Sequence, residues 1–303
     1  MTIAIYTALL VAALVAPLLV VACSFPSAPQ LIDVPGAQRI ALREGVVRFE
    51  DQGTGPHALL LLHGFNSQLG YWNDAWNALA NGERKVRIDI PGFGGSDFDA
   101  DNFDLDSQVQ RLCEFLDARG IERVTIVAES MGGSLAAQLA VRQPQRVAAM
   151  ALLAPSGYTG SLRYGGMRGL LMRPGPLKDA ATKIAGWSIY RMLFPHSKAL
   201  QGLTVTYSYG PAWVAILPRI KAPTLLLWSR GDYGVSYTNA PDVMHAIPGS
   251  RLLWLDKSTG HLISQLRPQL VANLAGRLLA GESPAAIAAT PPRELLRDGE
   301  SFD

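Results

Sequence analysis

The chain has 303 residues, of which 49% are hydrophobic and 17% charged, and carries a formal net charge of +2. That length and apolar content are enough for a sizeable core in one large domain with an insertion, and the near-neutral balance points away from a nucleic-acid binder. Two cysteines, Cys23 and Cys113, exclude a disulfide framework and leave at most one bridge.

In chain order, the first element is apolar. Residues 3–22, IAIYTALLVAALVAPLLVVA, form a 20-residue run interrupted only by Tyr6 and Thr7, and no charged side chain precedes Asp33. Such a run is long enough to span a bilayer. It ends in VVAC, small residues ahead of Cys23, and so resembles the lipobox of bacterial lipoproteins, where the cysteine is lipidated and becomes the new N-terminus. The start of the run carries neither the Lys nor the Arg usual in such signals. Three readings of residues 1–23 stay open: a lipoprotein signal with lipidation at Cys23, an uncleaved anchor helix, and a cleaved secretory signal. All three involve a membrane, and the expected location is the bacterial cell envelope. Residues 24–39 read as a linker.

From about 40 to 155 the pattern alternates between strand and helix. GVVRFEDQG (45–53) reads as a strand and turn, HALLLLHG (57–64) as a buried strand, and KVRIDIPG (85–92) as another. DSQVQRLCEFLDARG (106–120) reads as a helix capped by Asp106 or Ser107 and stopped by Gly120. Its Cys113 shares an apolar face with Val109, Leu112 and Leu116, which makes it a buried small hydrophobe rather than a nucleophile. VTIVAE (124–129) and VAAMALLAP (147–155) are further strands, followed later by TLLLWS (224–229) and RLLWLD (251–256), and LISQLRPQLVANLAGRLL (262–279) reads as a helix. Short apolar strands alternating with helices predict an α/β architecture, with a mostly parallel central sheet covered by helices on both faces.

VTIVAESMGGSLAAQLA (124–140) joins a β-branched strand to an alanine-rich helix through one serine. At such a junction the nucleophile sits on a tight turn, and the residues two positions away must be small so that strand and helix can approach. Ala128 and Gly132 meet that need, and Gly133 keeps the helix close to the sheet. Ser130 is thus the candidate nucleophile on an elbow of the G-x-S-x-G type.

Together with this elbow, LLLLHGFN (59–66), RIDIPGFGGSD (87–97), LLLWSRGD (225–232) and STGH (258–261) make the chain resemble the α/β-hydrolase family over about residues 40–280. The resemblance implies an oxyanion loop after the first motif, a D-x-P-G-x-G-x-S-D turn in the second, and the acid and base of a catalytic triad in the last two. Ala128 stands where the family usually has glycine. Glu129 stands where many lipases and esterases have histidine, and the sequence assigns that carboxylate no role.

A serine hydroxyl needs a base to become nucleophilic at neutral pH. Of the five histidines, His57, His63, His196 and His245 lie in turn, polar or helical contexts, whereas His261 follows a strand and opens a helix at the edge that carries Ser130. His261 is therefore the candidate general base. Asp232, just after TLLLWS, is the candidate orienting acid and gives the chain order Ser, Asp, His. Asp256 is the competing acid, and the position after residues 147–155, used for the acid in some relatives, holds Ser156 and Gly157. The backbone N–H groups of Met131 and Phe65 are the candidate oxyanion donors.

Ser130 disfavours the aspartate-nucleophile chemistries of this fold. Carboxylic ester hydrolysis through an acyl-enzyme comes first, on a small-molecule or lipid ester. C–C bond hydrolysis of the meta-cleavage-product type is the alternative within the family, and a catalytically silent binding module is the alternative outside it. No metal or cofactor is required and no nucleic-acid partner is expected.

Residues 156–215 break the regular alternation where the fold normally carries a cap. There, Arg163, Arg168, Arg173, Lys178, Lys183, Arg191 and Lys198 face a single acid, Asp179, with apolar groups such as Leu170, Met172, Trp187 and Phe194 between them. Two readings fit: a cap with a solvated basic exterior, and a basic lid that meets an anionic bilayer surface. The tail, residues 281–303, is rich in small, proline and charged residues and is expected to be disordered or loosely docked.

Overall fold

A computed structural model of the protein describes residues 30–80, 82–99, 103–157, 211–232 and 234–303. The apolar segment expected at 1–23, including Cys23, and nearly all of the cap expected at 156–215 lie outside them. Among the described residues no helix is long and apolar enough to cross a membrane.

The strands form one sheet in the order β1-β2-β4-β3-β6-β7-β8-β9-β10, with β5 also pairing β2. They are β1 (Gln38–Leu42), β2 (Gly45–Gln52), β3 (His57–Leu62), β4 (Lys85–Ile88), β5 (Asp97–Phe98), β6 (Arg123–Glu129), β7 (Val147–Leu153), β8 (Thr224–Ser229), β9 (Arg251–Leu255) and β10 (Ser301–Phe302). The run from β4 to β9 is parallel, whereas β1, β2, β5 and β10 pair antiparallel at the margins. In β3, Ala58 and all four leucines are buried, as a central strand between parallel neighbours requires. Helices α1 (Asn73–Ala78), α2 (Leu105–Ala118), α3 (Met131–Arg142), α4 (Pro211–Val214), α5 (Ala240–Ala246), α6 (Ile263–Leu266), α7 (Pro268–Leu279) and α8 (Pro284–Ala289) complete the described part.

Chain order places the site. From β3 the chain moves to one side, into β4, then returns to add β6 on the other side of β3. The carboxyl ends of β3 and β6 therefore flank the point where the winding reverses, and in open α/β sheets that is where the crevice for a ligand lies.

Several expected details differ. The N-cap of α2 is Asp104, whose Oδ1 accepts from the Ser107 amide at 2.7 Å, rather than Asp106 or Ser107. The helix expected over 262–279 is two helices broken at Pro268, because proline at a first position starts a new helix and pushes Arg267 (φ −133°, ψ 49°) out of the helical region. The domain also begins before residue 40: β1 starts at Gln38, and the Ile32 amide donates to Gln68 Oε1 at 2.7 Å while Gln68 Nε2 donates to the Gln30 carbonyl at 2.8 Å.

The tail is the clearest correction. Instead of lying loose, residues 281–303 dock: α8 packs on β9, and β10 pairs with it. The guanidinium of Arg267 is buried against Glu300 and the Leu295 carbonyl, and Trp254 Nε1 donates to the Asp303 carboxylate. The composition suggests disorder, but a buried cation and a sheet edge outweigh it. Cys113 is a free thiol, partly buried against the core, and burial pushes its pKa up.

Candidate active site

Ser130 stands between β6 and α3 with φ 53° and ψ −116°. A positive φ is strained for any residue with a Cβ, at roughly 1–3 kcal/mol, so the surroundings must enforce it. They do so through the backbone: the Ser130 amide donates to the Leu153 carbonyl at 2.9 Å, and the Ser130 carbonyl accepts from the amides of Gly133 and Ser156, each at 3.0 Å. Ser134 Oγ on α3 donates to the Ser156 carbonyl and ties the loop after β7 to the same turn.

Gly132 explains why the elbow tolerates no bulk. A Cβ there would stand 2.5 Å from the Leu62 carbonyl oxygen and 2.6 Å from that of His63. The first turn of α3 thus lies directly on the end of β3. On the other side of this contact, a Cβ on Gly64 would lie 3.2 Å from Ser130 Cβ. The loop His63–Gly64–Phe65 therefore runs beside the serine, with the Phe65 amide next in line after Gly64 and the Met131 amide next after Ser130.

His63 shapes that loop. Its Nδ1 donates to the Gly64 carbonyl at 2.7 Å and its Nε2 accepts from the Ile90 amide at 2.9 Å, which defines a neutral ring. Burial pushes its pKa below the ordinary value, against the opposing charge of Asp89. Phe93 packs edge-on to both His63 and Phe65, with ring centroids 6.0 and 6.1 Å apart.

Asp232 and His261 come together from the ends of β8 and β9. His261 Nδ1 lies 2.7 Å from Asp232 Oδ2, and Asp232 Oδ1 accepts from the amides of Gly234 and Val235, both at 2.9 Å. Asp232 is 1% exposed, so its carboxylate acts without competing water. Burial alone would depress the imidazole, but the hydrogen bond and charge of Asp232, with the charge of Glu129, hold its pKa above the ordinary 6.5. The competing acid, Asp256, is engaged elsewhere: it caps the following turn at the Ser258 amide (2.7 Å) and pairs with Arg267 and Arg297.

Among the described contacts no hydrogen bond links Ser130 Oγ to the imidazole. What joins the two is Glu129, to which the sequence assigned no role. Its Oε1 accepts from the Ser264 amide at 3.0 Å and its Oε2 from Ser264 Oγ at 2.9 Å, so the residue before the serine holds the residue three beyond the histidine. The readable signal was an ionisable side chain at the end of a strand certain to be buried. Among the described residues no group of three or more His, Cys, Asp or Glu side chains could hold a metal ion.

With fold and geometry in hand, comparison with known proteins is direct. The family model described as alpha/beta hydrolase fold matches residues 57–185. The chain has the α/β-hydrolase fold. It is 24% identical to a monoacylglycerol lipase of Xenopus laevis over 72% of this chain and 73% of that protein. It is 29% identical to a 2-hydroxy-6-oxononadienedioate/2-hydroxy-6-oxononatrienedioate hydrolase of Paraburkholderia phymatum over 69% and 79%, respectively. A segment covering 46% of this chain is 35% identical to an acetyltransferase component of the acetoin cleaving system of Cupriavidus necator, and it spans only 37% of that relative's length. The structure of a thermophilic esterase from Thermogutta terrifontis superposes with a TM-score of 0.63 at 21% identity, covering 81% of this chain and 99% of that one. At that identity the likeness speaks to the fold alone.

Proposed function

We propose that the protein is a serine hydrolase of carboxylic esters. The observations that support this are the buried Asp232 carboxylate on His261 Nδ1, at 2.7 Å, and a serine on a strained strand–helix turn whose preceding residue, Glu129, bonds to Ser264 three residues after that histidine. A ring that keeps its proton on Nδ1 has Nε2 free to accept one. His261 Nε2 takes the Ser130 hydroxyl proton as Oγ attacks the ester carbonyl, and the Phe65 and Met131 amides receive the negative charge that develops on the carbonyl oxygen. The tetrahedral species collapses, the imidazolium returns the proton to the leaving alcohol, and the acyl group remains on Ser130. Water, deprotonated by the same imidazole, releases the acid and restores the serine.

The base must be neutral to accept that proton, and its pKa is raised. The acid limb of kcat/KM for p-nitrophenyl esters is therefore expected above pH 6.5, with activity lost as the pH falls through it. A limb well below 6.5 would mean that the Asp232–His261 pair is not the titrating base.

A second reading, hydrolysis of a C–C bond, has support from the relative of Paraburkholderia phymatum and would use the same serine and histidine. Turnover of a vinylogous diketone with none of p-nitrophenyl esters would favour it.

The apolar run at 3–22 supports holding this enzyme at a membrane, where a lipid ester would be at hand. The full chain is expected to stay with membranes through a high-salt wash, and a chain lacking residues 1–23 to be released. Recovery of both in the soluble fraction would refute the tether.

A further inference from the structure

Among the described residues, Glu129 is a buried ionisable group at the elbow to which the proposed reaction assigns no step. Only 5% exposed, it sits immediately before Ser130, at the end of β6. Both carboxylate oxygens accept from one residue, Ser264, whose amide lies in the first turn of α6. The helix α6 is four residues long and begins two residues after His261, and its Ile263 amide donates to the His261 carbonyl at 3.1 Å, so a hold on the first turn of α6 is passed directly to the histidine. Before the histidine, Gly260 has a φ of 58°, a flexible approach to the ring.

We propose that Glu129 is a positioning residue for His261: through Ser264 it clamps the chain after the histidine onto the chain before the nucleophile, and its carboxylate is the second negative charge acting on the imidazole. Asp232 holds the ring from the turn after β8; Glu129 holds its loop from the end of β6. This rests on the serine-hydrolase reading for what His261 does, and on geometry for where it is held.

The chemistry of the contacts supports an ionised carboxylate. One oxygen takes an N–H and the other an O–H, so each acts as an acceptor, and neither needs a proton of its own. Burial holds the Glu129 pKa above the ordinary carboxylate value, while the two Ser264 bonds, the Ile263 amide and the charge of His261 oppose that rise. The charged groups acting on His261 are Asp232 and Glu129, and the charged group acting on Glu129 is His261 in return. When the imidazole takes the serine proton, the new positive charge is therefore countered by both carboxylates.

Two variants separate the clamp from the charge. Glu129→Gln keeps an acceptor for the Ser264 amide and removes the charge. Ser264→Ala keeps the charge and the amide bond and removes one hydroxyl bond. In full-length protein with labelled histidine, E129Q is expected to lower the pKa of the His261 ring by NMR titration and to move the acid limb of kcat/KM to lower pH. Its kcat should fall about tenfold with KM little changed, the signature of a weakened transition-state interaction. S264A is expected to leave the limb in place and reduce kcat about threefold.

An unchanged His261 titration in E129Q, or wild-type kcat in S264A, overturns the proposal. Because the ring titration needs no substrate, it still decides the matter for a protein that fails to hydrolyse esters. In that case the functional reading fails and the positioning role stands or falls separately. If E129Q does not fold, S264A alone decides.

Discussion

Under the proposed mechanism, Ser130→Ala is expected to abolish ester turnover, with kcat falling on the order of a millionfold. The expected loss is that of the nucleophile alone, because alanine keeps the Cβ and the elbow is held by main-chain bonds with Leu153, Gly133 and Ser156. The positive φ is as strained for alanine as for serine, so the change adds little to the cost of the turn. Thermal unfolding should match the wild type, and a fluorophosphonate probe that labels the parent should leave the variant unlabelled. If the variant kept a tenth of parental turnover, another group would have to be the nucleophile. If the folded parent neither turned over esters nor took the label, the silent-module alternative would replace the enzyme.

Asp232→Asn is the second large effect, and its direction follows from three hydrogen bonds. Oδ1 accepts from two backbone amides, those of Gly234 and Val235, and only an oxygen can do so. An asparagine must therefore turn its NH2 towards His261 Nδ1, a position now held by an acceptor oxygen at 2.7 Å. Facing a donor, the ring moves its proton to Nε2, the atom that has to accept from Ser130. The expected loss in kcat is about 10³–10⁴-fold with KM nearly unchanged, since Asp232 is buried and both its oxygens are engaged within the protein. A loss of less than tenfold would show that the ring tautomer is set by something other than Asp232.

Much of this arrangement was legible in the sequence for physical reasons. Central parallel strands are buried on both faces and so appear as unbroken apolar runs, as in HALLLL and TLLLWS, and the residues ending those runs are brought to one edge by the winding. Ser130, Asp232 and His261 could be picked out because each follows such a run. Three of the marginal strands, β1, β5 and β10, could not. In β1, QRIAL, none of the five residues is fully buried, so no alternation marks it, and β5 and β10 are two residues each, too short for any period. Pro268 was readable as a break in the last long helix, but apolar spacing continuous on both sides of it masked the signal. The partner of Glu129 was out of reach, because Ser264 lies 135 positions along the chain.

The docked C-terminus has a consequence beyond the catalytic corner. Without β10, the strand Arg251–Leu255 would end the sheet and present its outer row of amides and carbonyls to solvent, a template on which the strand of a neighbouring molecule could grow. Ser301 and Phe302 occupy that row, and the bond from the Trp254 indole to Asp303 fastens them there. Residues 301–303 therefore serve as a guard against edge-to-edge aggregation.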